Sequence, residues 1–374
     1  MKRILIVASS CFFIRCFLLP HIEWLSQNGW IVDIASDSDN GDAIPNINKH
    51  IILPIKRTPI HIDNLRSIEI LQQYIDRTHY DIINCHTPIG AMVARMAARK
   101  YRTNGTKVIY MTHGLHFYHG APIKNRVFYF LAEKFMAQYT DAIITINSED
   151  RYNVQHHFKN IAHQYYIPGI GYDTNHIDRP SATDKNTLRE HYGVQPDDFV
   201  CLYVARFTRD KNHRFLIASL PEILHHIPSC KLLFVGDGEE LDSCRKQVAT
   251  MQLERSIIFT GYQNNISDYL RLSDIGISAS KSEGLGLGLI EEMHTHLPIL
   301  ASRVRGHIDI IEEGVNGLLY TLNDRADFIK KLLCIYQQPQ EAALMASRAK
   351  NNLSKYEVNN IKNKLLKIFE HELS

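Results

Sequence analysis

Ile275-Gly276-Ile277-Ser278-Ala279-Ser280-Lys281-Ser282-Glu283-Gly284-Leu285-Gly286-Leu287-Gly288-Leu289-Ile290-Glu291 is the stretch whose reading decides the fold. Ile275–Ser278 is a short apolar run of the buried-strand kind, and Leu289–Thr295 carries helical spacing. Three glycines at alternate positions join the two. A strand that passes through glycine into a helix is the repeating unit of parallel sheets with helices on both faces. Such a turn also presents backbone N–H groups at the positive end of the helix, which suits a phosphate or a sugar hydroxyl. Taken alone, the segment also admits a second, lesser reading as a glycine-loosened turn carrying solvated glutamates, because glycine patterns are weak evidence.

Outward from this stretch the alternation covers the chain. Apolar runs occur at Ile4–Ala8, Ile31–Ala35, Ile51–Leu53, Asp81–Cys85, Lys107–Met111 and Ala142–Ile146. A second set runs Val200–Val204, Lys231–Val235, Ser256–Phe259, Ile275–Ser278, Pro298–Ala301 and Gly317–Tyr320. Amphipathic stretches such as Pro20–Asn28, Ser67–Arg77, Gly90–Tyr101 and Phe215–His225 separate them. The pattern predicts an α/β protein of two Rossmann-like, doubly wound halves with a cleft between them. Its 374 residues suit two domains. Pro168, Gly169 and Gly171 punctuate the pattern, so the expected domains are 1–168, 169–355 and a C-terminal helical segment 356–374 packing back on the first.

A net charge of +2 argues against a general nucleic-acid binder. The balance hides an asymmetry: Met1–Pro168 holds 18 Lys/Arg against 13 Asp/Glu. Gly90–Phe135 alone holds eight cations and one acid, Glu133, so an anionic partner is expected there. Seven scattered cysteines without a CxxC pair fit a reducing compartment and neither a disulfide framework nor a zinc site. Arg15 interrupts the apolar start, which therefore reads as a buried strand ahead of a signal peptide.

A second constellation, Arg206-Phe207-Thr208-Arg209-Asp210-Lys211, follows the run Val200–Val204 and precedes a helical stretch. Arg206 offers a planar fork and Lys211 a point charge, a pairing suited to a diphosphate, although a basic solvated loop looks the same in isolation. Were the whole Glu283–Glu291 run helical, the two acids would stand about 12 Å apart along the axis. That exceeds the roughly 5 to 9.5 Å of carboxyl pairs that hydrolyse glycosides. They read instead as contacts at opposite ends of an extended ligand.

Arg-x4-Lys followed about 70 residues later by Glu-x7-Glu resembles the retaining glycosyltransferases of family 4, which have the GT-B fold. The resemblance runs over nearly the whole chain. It implies that Arg206 and Lys211 hold the diphosphate of a nucleotide-sugar donor, a UDP-sugar in preference to a GDP-sugar. It places Glu283 at the donor sugar, Glu291 at the ribose hydroxyls, and the backbone of Gly284, Leu285, Gly286 and Leu287 around sugar and phosphate. Tyr262, after Phe259-Thr260-Gly261, is the candidate for the base, and Val235-Gly236-Asp237-Gly238 matches a recurrent loop of the family. In the first half, His113 within Tyr110-Met111-Thr112-His113-Gly114-Leu115-His116-Phe117-Tyr118 corresponds to a histidine that reaches the donor sugar. His116 is its rival, and His86 is expected on the acceptor side.

Ser9-Ser10-Cys11-Phe12-Phe13-Ile14-Arg15 departs from the glycine-rich loop frequent in the family. Together with Thr145-Ile146-Asn147-Ser148-Glu149-Asp150, it is similar to the branch that builds bacterial capsule, exopolysaccharide and O-antigen. That branch implies transfer of a hexose or N-acetylhexosamine to a glycan, lipid-linked on a polyprenyl diphosphate or soluble. The expected place is cytoplasmic, peripheral on the inner face of the plasma membrane, with the 90–135 basic stretch docking on anionic lipid. No cofactor and no metal is expected, because Arg206, Lys211 and the helix N-terminus supply the positive charge. Two rivals share the fold: a nucleotide-sugar epimerase, which needs no acceptor, and a catalytically silent sugar-binding protein.

Overall fold

The computed structural model describes residues 1–38, 41, 43–174, 177 and 184–374. They divide into two compact units, Met1–Gly171 with Val358–Ser374, and Tyr172–Glu357.

The first unit is built on a parallel sheet of seven strands: β1 Arg3–Val7, β2 Ile31–Ser36, β3 Lys49–Ile52, β4 Ile82–His86, β5 Lys107–Met111, β6 Ala142–Thr145 and β7 His163–Tyr166. Their spatial order is β3-β2-β1-β4-β5-β6-β7. Helices cover both faces, which is why Ile4–Val7 of β1 reads as an unbroken apolar run in place of alternation. Ile4, Leu5, Ile6 and Val7 are all at most 2% exposed, and each such side chain contributes roughly 1.5–3 kcal/mol by leaving water. The apolar start of the chain is thus an inner strand, between β2 and β4. The polar strand β7 escapes the periodicity reading. It lies at the sheet edge, paired only with β6, so its side chains need not be apolar.

The helix Val358–Leu373 belongs to this unit. Ile361, Leu365, Ile368 and Phe369 are buried, and the Phe369 ring lies 6.1 Å from that of Trp30. His163 and Tyr165 of β7 both hydrogen-bond the buried Glu372 carboxylate, at 2.6 and 2.7 Å.

The cations of 90–135 do not form one basic surface, contrary to expectation. Arg95 is 1% exposed, bonds Glu133 at 2.8 and 3.3 Å and lies over the Tyr110 ring. Arg102 forks onto Asp141, and Lys100 faces Asp76 at 3.3 Å. A guanidinium can enter a core when a carboxylate and an aromatic face accompany it, and Glu133 and Tyr110 supply both. Charge counting registers Glu133 but not that it meets Arg95.

The second unit repeats the plan with β8 Phe199–Val204, β9 Cys230–Val235, β10 Ile257–Phe259, β11 Ile275–Ser278, β12 Ile299–Ser302 and β13 Leu318–Tyr320. The order is β10-β9-β8-β11-β12-β13, again parallel throughout. In each unit the order reverses beside the central strand, between β1 and β4 and between β8 and β11. Crossovers leave these neighbours in opposite directions, so a crevice opens at their carboxyl ends, where such sheets bind ligands. Each unit is the Rossmann-like, doubly wound domain that the alternation predicts.

Candidate active site

The two motifs singled out in the second half leave the two strands that flank its reversal point. Arg206–Lys211 follows β8, and Ser280–Gly286 follows β11. The Lys211 ammonium donates to Glu283 Oε1, which also accepts from Ser280 Oγ at 2.7 Å. The Tyr203 hydroxyl donates to the Lys211 carbonyl at 2.8 Å and lies 2.9 Å from Ser280 Oγ. The Lys281 N–H bonds the Asp210 carbonyl at 2.7 Å, closing one loop on the other. Burial alone would raise the Glu283 carboxyl. The Lys211 charge and the hydrogen bonds outweigh it and hold its pKa below the ordinary value. Glu283 is therefore a fixed carboxylate at neutral pH.

A further loop braces this arrangement, and sequence reasoning passed over it. Arg305 is 8% exposed; its Nε donates to the Glu283 carbonyl at 3.1 Å and its other guanidinium nitrogen to Ser282 Oγ at 3.0 Å. Gly306, at φ +82°, lets this loop close on the turn, since a Cβ there would stand 2.8 Å from Glu283 Cβ. Behind it His307 is fully buried and bonds the Ser302 carbonyl at 2.8 Å. The glycine in Arg305-Gly306-His307, just past a predicted strand, is the signal that could have found it. The loop Val235-Gly236-Asp237-Gly238 does the same for Arg206. Gly236, at φ +146°, passes so close that a Cβ would meet the Ala205 carbonyl oxygen at 2.1 Å.

The helix after the glycines begins only at Leu287 and ends at His294. Glu283 therefore lies in the turn before it, which removes the wholly helical premise behind the spacing of about 12 Å. Gly286 caps the helix without a side chain, so the first-turn N–H groups around Leu287 are the open donors of a helix start. Glu291, on this helix, is half-buried, and burial pushes its carboxyl up to about 7. Arg206 and Tyr262 are exposed. Among the described residues, the side chains of Arg206, Tyr262 and Glu291 make no hydrogen bond or ion pair, so only Lys211 and Glu283 of the expected donor set are already in contact.

In the first unit the candidates cluster at the same topological place. His86 ends β4, and His113 lies just past β5. The Asn84 amide donates to the Ile109 carbonyl at 3.2 Å, which turns Asn84 Oδ1 toward His86 Nε2 at 2.9 Å. His86 Nε2 must then carry the proton, so His86 Nδ1 accepts from His113 Nε2 at 2.9 Å. His113 Nδ1 is left with its lone pair. Burial pushes the His113 imidazole down to about 3 and His86 well below its usual value, so both rings are neutral. Phe13 packs its ring 4.8 Å from His113, a contact that the sequence did not announce. His116 turns away, its ring 4.8 Å from Tyr129.

The loop carrying these histidines is fastened from β6. Asn147 caps the helix Ser148–His157 by accepting from the Asp150 N–H at 2.8 Å, and Asp150 accepts from the Leu115 N–H at 2.9 Å. In place of a glycine-rich loop, Ser9–Arg15 turns directly into the helix Cys11–Phe17, with the Cys11 N–H on Asp37 Oδ1 at 2.7 Å. The chain does contain one Asp-x-Asp, Asp37-Ser38-Asp39. Asp37 is occupied in this way, and Asp39 lies outside the described residues.

The family model described as "Glycosyl transferases group 1" matches residues 184–352, and "Glycosyl transferase 4-like" matches 3–147. The chain is 34% identical over 339 residues to a Bacillus subtilis protein named as the glycosyltransferase EpsD, covering 91% of this chain and 88% of that one. It belongs to this glycosyltransferase family. A second relative of the glycosyltransferase, 26% identical over 329 residues, is the UDP-Gal:alpha-D-GlcNAc-diphosphoundecaprenol alpha-1,3-galactosyltransferase of Escherichia coli, with 84% and 81% of the two chains covered. Two solved structures share its fold at 19% identity. Thermosynechococcus elongatus sucrose-phosphate synthase has a TM-score of 0.84 over 99% of both chains. Anabaena HepE, in complex with UDP and glucose, scores 0.82 over 99% of this chain and all of that one. The GT-B fold expected of the glycosyltransferase is thereby established.

Proposed function

We propose that the glycosyltransferase moves a hexose or N-acetylhexosamine, with retention of configuration, from a UDP-sugar to a glycan on a polyprenyl diphosphate during synthesis of a cell-surface polysaccharide. The observation that carries this reading is the Lys211–Glu283 contact at the carboxyl ends of β8 and β11. It sets a cation and a fixed carboxylate where a sheet of this kind binds its ligand. Lys211 and Arg206 take the diphosphate, and the open N–H groups at the start of the Leu287–His294 helix add to them. Glu283 accepts from hydroxyls of the donor sugar, Glu291 from those of the ribose, and the exposed Tyr262 ring covers the base. His113, neutral with an open Nδ1, accepts from a further sugar hydroxyl. His86, expected on the acceptor side, is buried with both ring nitrogens engaged and instead positions His113, which leaves the exposed His116 for the acceptor. The E. coli relative, whose name specifies a UDP-sugar and a diphosphoundecaprenol acceptor, supports UDP and a lipid carrier.

In the chemical step the acceptor hydroxyl attacks the anomeric carbon on the face from which UDP departs. The new C–O bond forms as the bond to the β-phosphate oxygen breaks, and the hydroxyl proton passes to that departing phosphate. Lys211 and Arg206 stabilise the developing charge by preorganised electrostatics, with no metal required. The test is incubation with a panel of UDP- and GDP-sugars, with and without lipid extract, read by mass spectrometry. Acceptor-dependent UDP release supports transfer. An epimerised sugar formed without acceptor would install the epimerase reading, and no product with intact sugar binding the silent-binder reading.

A further inference from the structure

The helix Ile123–Met136 of the first unit has the wrong outside for a surface helix. Among its 14 residues only Met136 is buried, with Tyr129 and Phe130 partly so against the core. The opposite side carries Ile123, Val127, Phe128, Leu131 and Phe135, exposed by 78, 53, 45, 57 and 52%. At about 100° per residue these five fall within an arc of roughly 140°. A helix over a core should turn polar residues to solvent. The C-terminal helix Val358–Leu373 does so: its Ile361, Leu365, Ile368 and Phe369 are all buried. A contiguous apolar surface of this kind marks an interaction site.

The charges around the arc identify the partner. Lys124 lies inside it at one end and Lys134 at the other, with Arg126 alongside, and all three are exposed. Glu133, the only acid of the helix, faces inward onto Arg95. The face is thus apolar with uncompensated cations at its ends, the composition of a helix lying in the plane of an anionic bilayer. The long Lys stems reach up to the headgroups while the side chains between them enter the acyl boundary. A second copy of the chain fits poorly, because a two-fold contact would set the same cations against one another.

We infer that Ile123–Met136 docks the enzyme on an anionic membrane surface through Ile123, Val127, Phe128, Leu131 and Phe135. Its length, about 21 Å at 1.5 Å per residue, lies flat in the interface. The helix follows directly on the loop that carries His113, and its Tyr129 touches His116. Docking therefore brings that loop to the layer in which a polyprenyl diphosphate resides. In purpose the inference rests on the lipid-linked acceptor proposed above; the contact itself is measured without any acceptor.

The experiment is flotation of the full chain with vesicles of phosphatidylglycerol and phosphatidylcholine, or of phosphatidylcholine alone. Variants are Val127→Glu with Leu131→Glu, and Lys124→Glu with Lys134→Glu, all at exposed positions and checked by an unchanged Tm. The wild type should float with the anionic vesicles and about tenfold more weakly with the neutral ones. Each double variant should lose about tenfold or more on anionic vesicles, while still releasing UDP with a water-soluble acceptor. No flotation of the wild type, or equal flotation of the variants, would overturn the inference. So would a lipid-free dimer that the Val127/Leu131 variant converts to monomer, since a second copy would then be the occupant. Intact flotation with no sugar transfer by any form would sink the proposed reaction and leave the docking standing.

Discussion

The two reversal points of this molecule have the same topology and opposite chemistry. Between β8 and β11 the crevice holds a paired ammonium and carboxylate, Lys211 and Glu283, gripped by Ser280, Tyr203 and the Arg305 loop. Between β1 and β4 the corresponding ends carry neutral groups, His86 bonded to His113 with Phe13 packed against them. Both places gather loops from neighbouring strands, so the strand order explains the location of each and the character of neither. Character comes from which charges the loops import. In the proposed reaction the charged point takes the donor's diphosphate and the neutral one meets hydroxyls of the donor sugar.

Glu283→Gln and Lys211→Ala should break the charged side hardest. Each is expected to lower kcat/KM of transfer by about 10²–10³, the size of losing one preorganised electrostatic contact in a closed site. Steady-state assays read this, and Lys211→Ala should also lower Tm, because it leaves Glu283 unpaired. Arg206→Ala should cost less, about tenfold to a hundredfold, with Tm unchanged, since Arg206 is exposed and has no partner to strand. Wild-type rates in all three would remove the site.

On the neutral side, His113→Ala should cost about tenfold in kcat/KM, the value of one neutral hydrogen bond. With its imidazole pushed down to about 3, His113 stays uncharged from pH 5 to 8. The pH–rate profile over that range should lack any inflection that His113→Ala removes.

The smallest effect sharpens the comparison through stability. Glu292 is 1% exposed with Oε2 unpaired, and burial pushes its carboxyl well above the usual value. Burial pushes the Glu291 carboxyl beside it up to about 7. Both folded-state values are raised, so the associated stability is full below the unfolded value near 4.5 and is lost as pH rises through the folded ones. Thermal unfolding should show Tm falling from pH 6.5 to 8, above the range in which the buried neutral His86 and His113 raise it, and Glu292→Gln should flatten that fall. A slope identical in the variant would contradict the assignment.

Much of this was legible because it is local. Strands such as β1 and β11 announce themselves as apolar runs, and the Arg206–Lys211 and Glu283–Glu291 motifs each occupy one loop or one turn and helix. What escaped depends on distant partners. β7 is polar because an edge strand tolerates it. Arg95 is buried because Glu133, on another helix, meets it. Phe13 joins the histidines, and Arg305 braces Glu283, only once the sheets are wound. The start of the helix after Glu283 is not legible in the sequence, since nothing short of Gly286 at φ +102° shows where it begins. The Asp37-Ser38-Asp39 triplet, with its cation-binding spacing, spends Asp37 on the Cys11 N–H.

The central claim is that the UDP diphosphate of the donor is bound by the charged reversal point and not by the neutral one. Titration calorimetry with UDP, run on the full chain as wild type, Lys211→Ala and His113→Ala, tests it most directly. The account predicts at least about a tenfold loss of affinity for Lys211→Ala, the scale of one charge-assisted contact, and wild-type affinity for His113→Ala. Lys211→Ala binding UDP as tightly as the wild type, or His113→Ala losing UDP to the same extent, would contradict it.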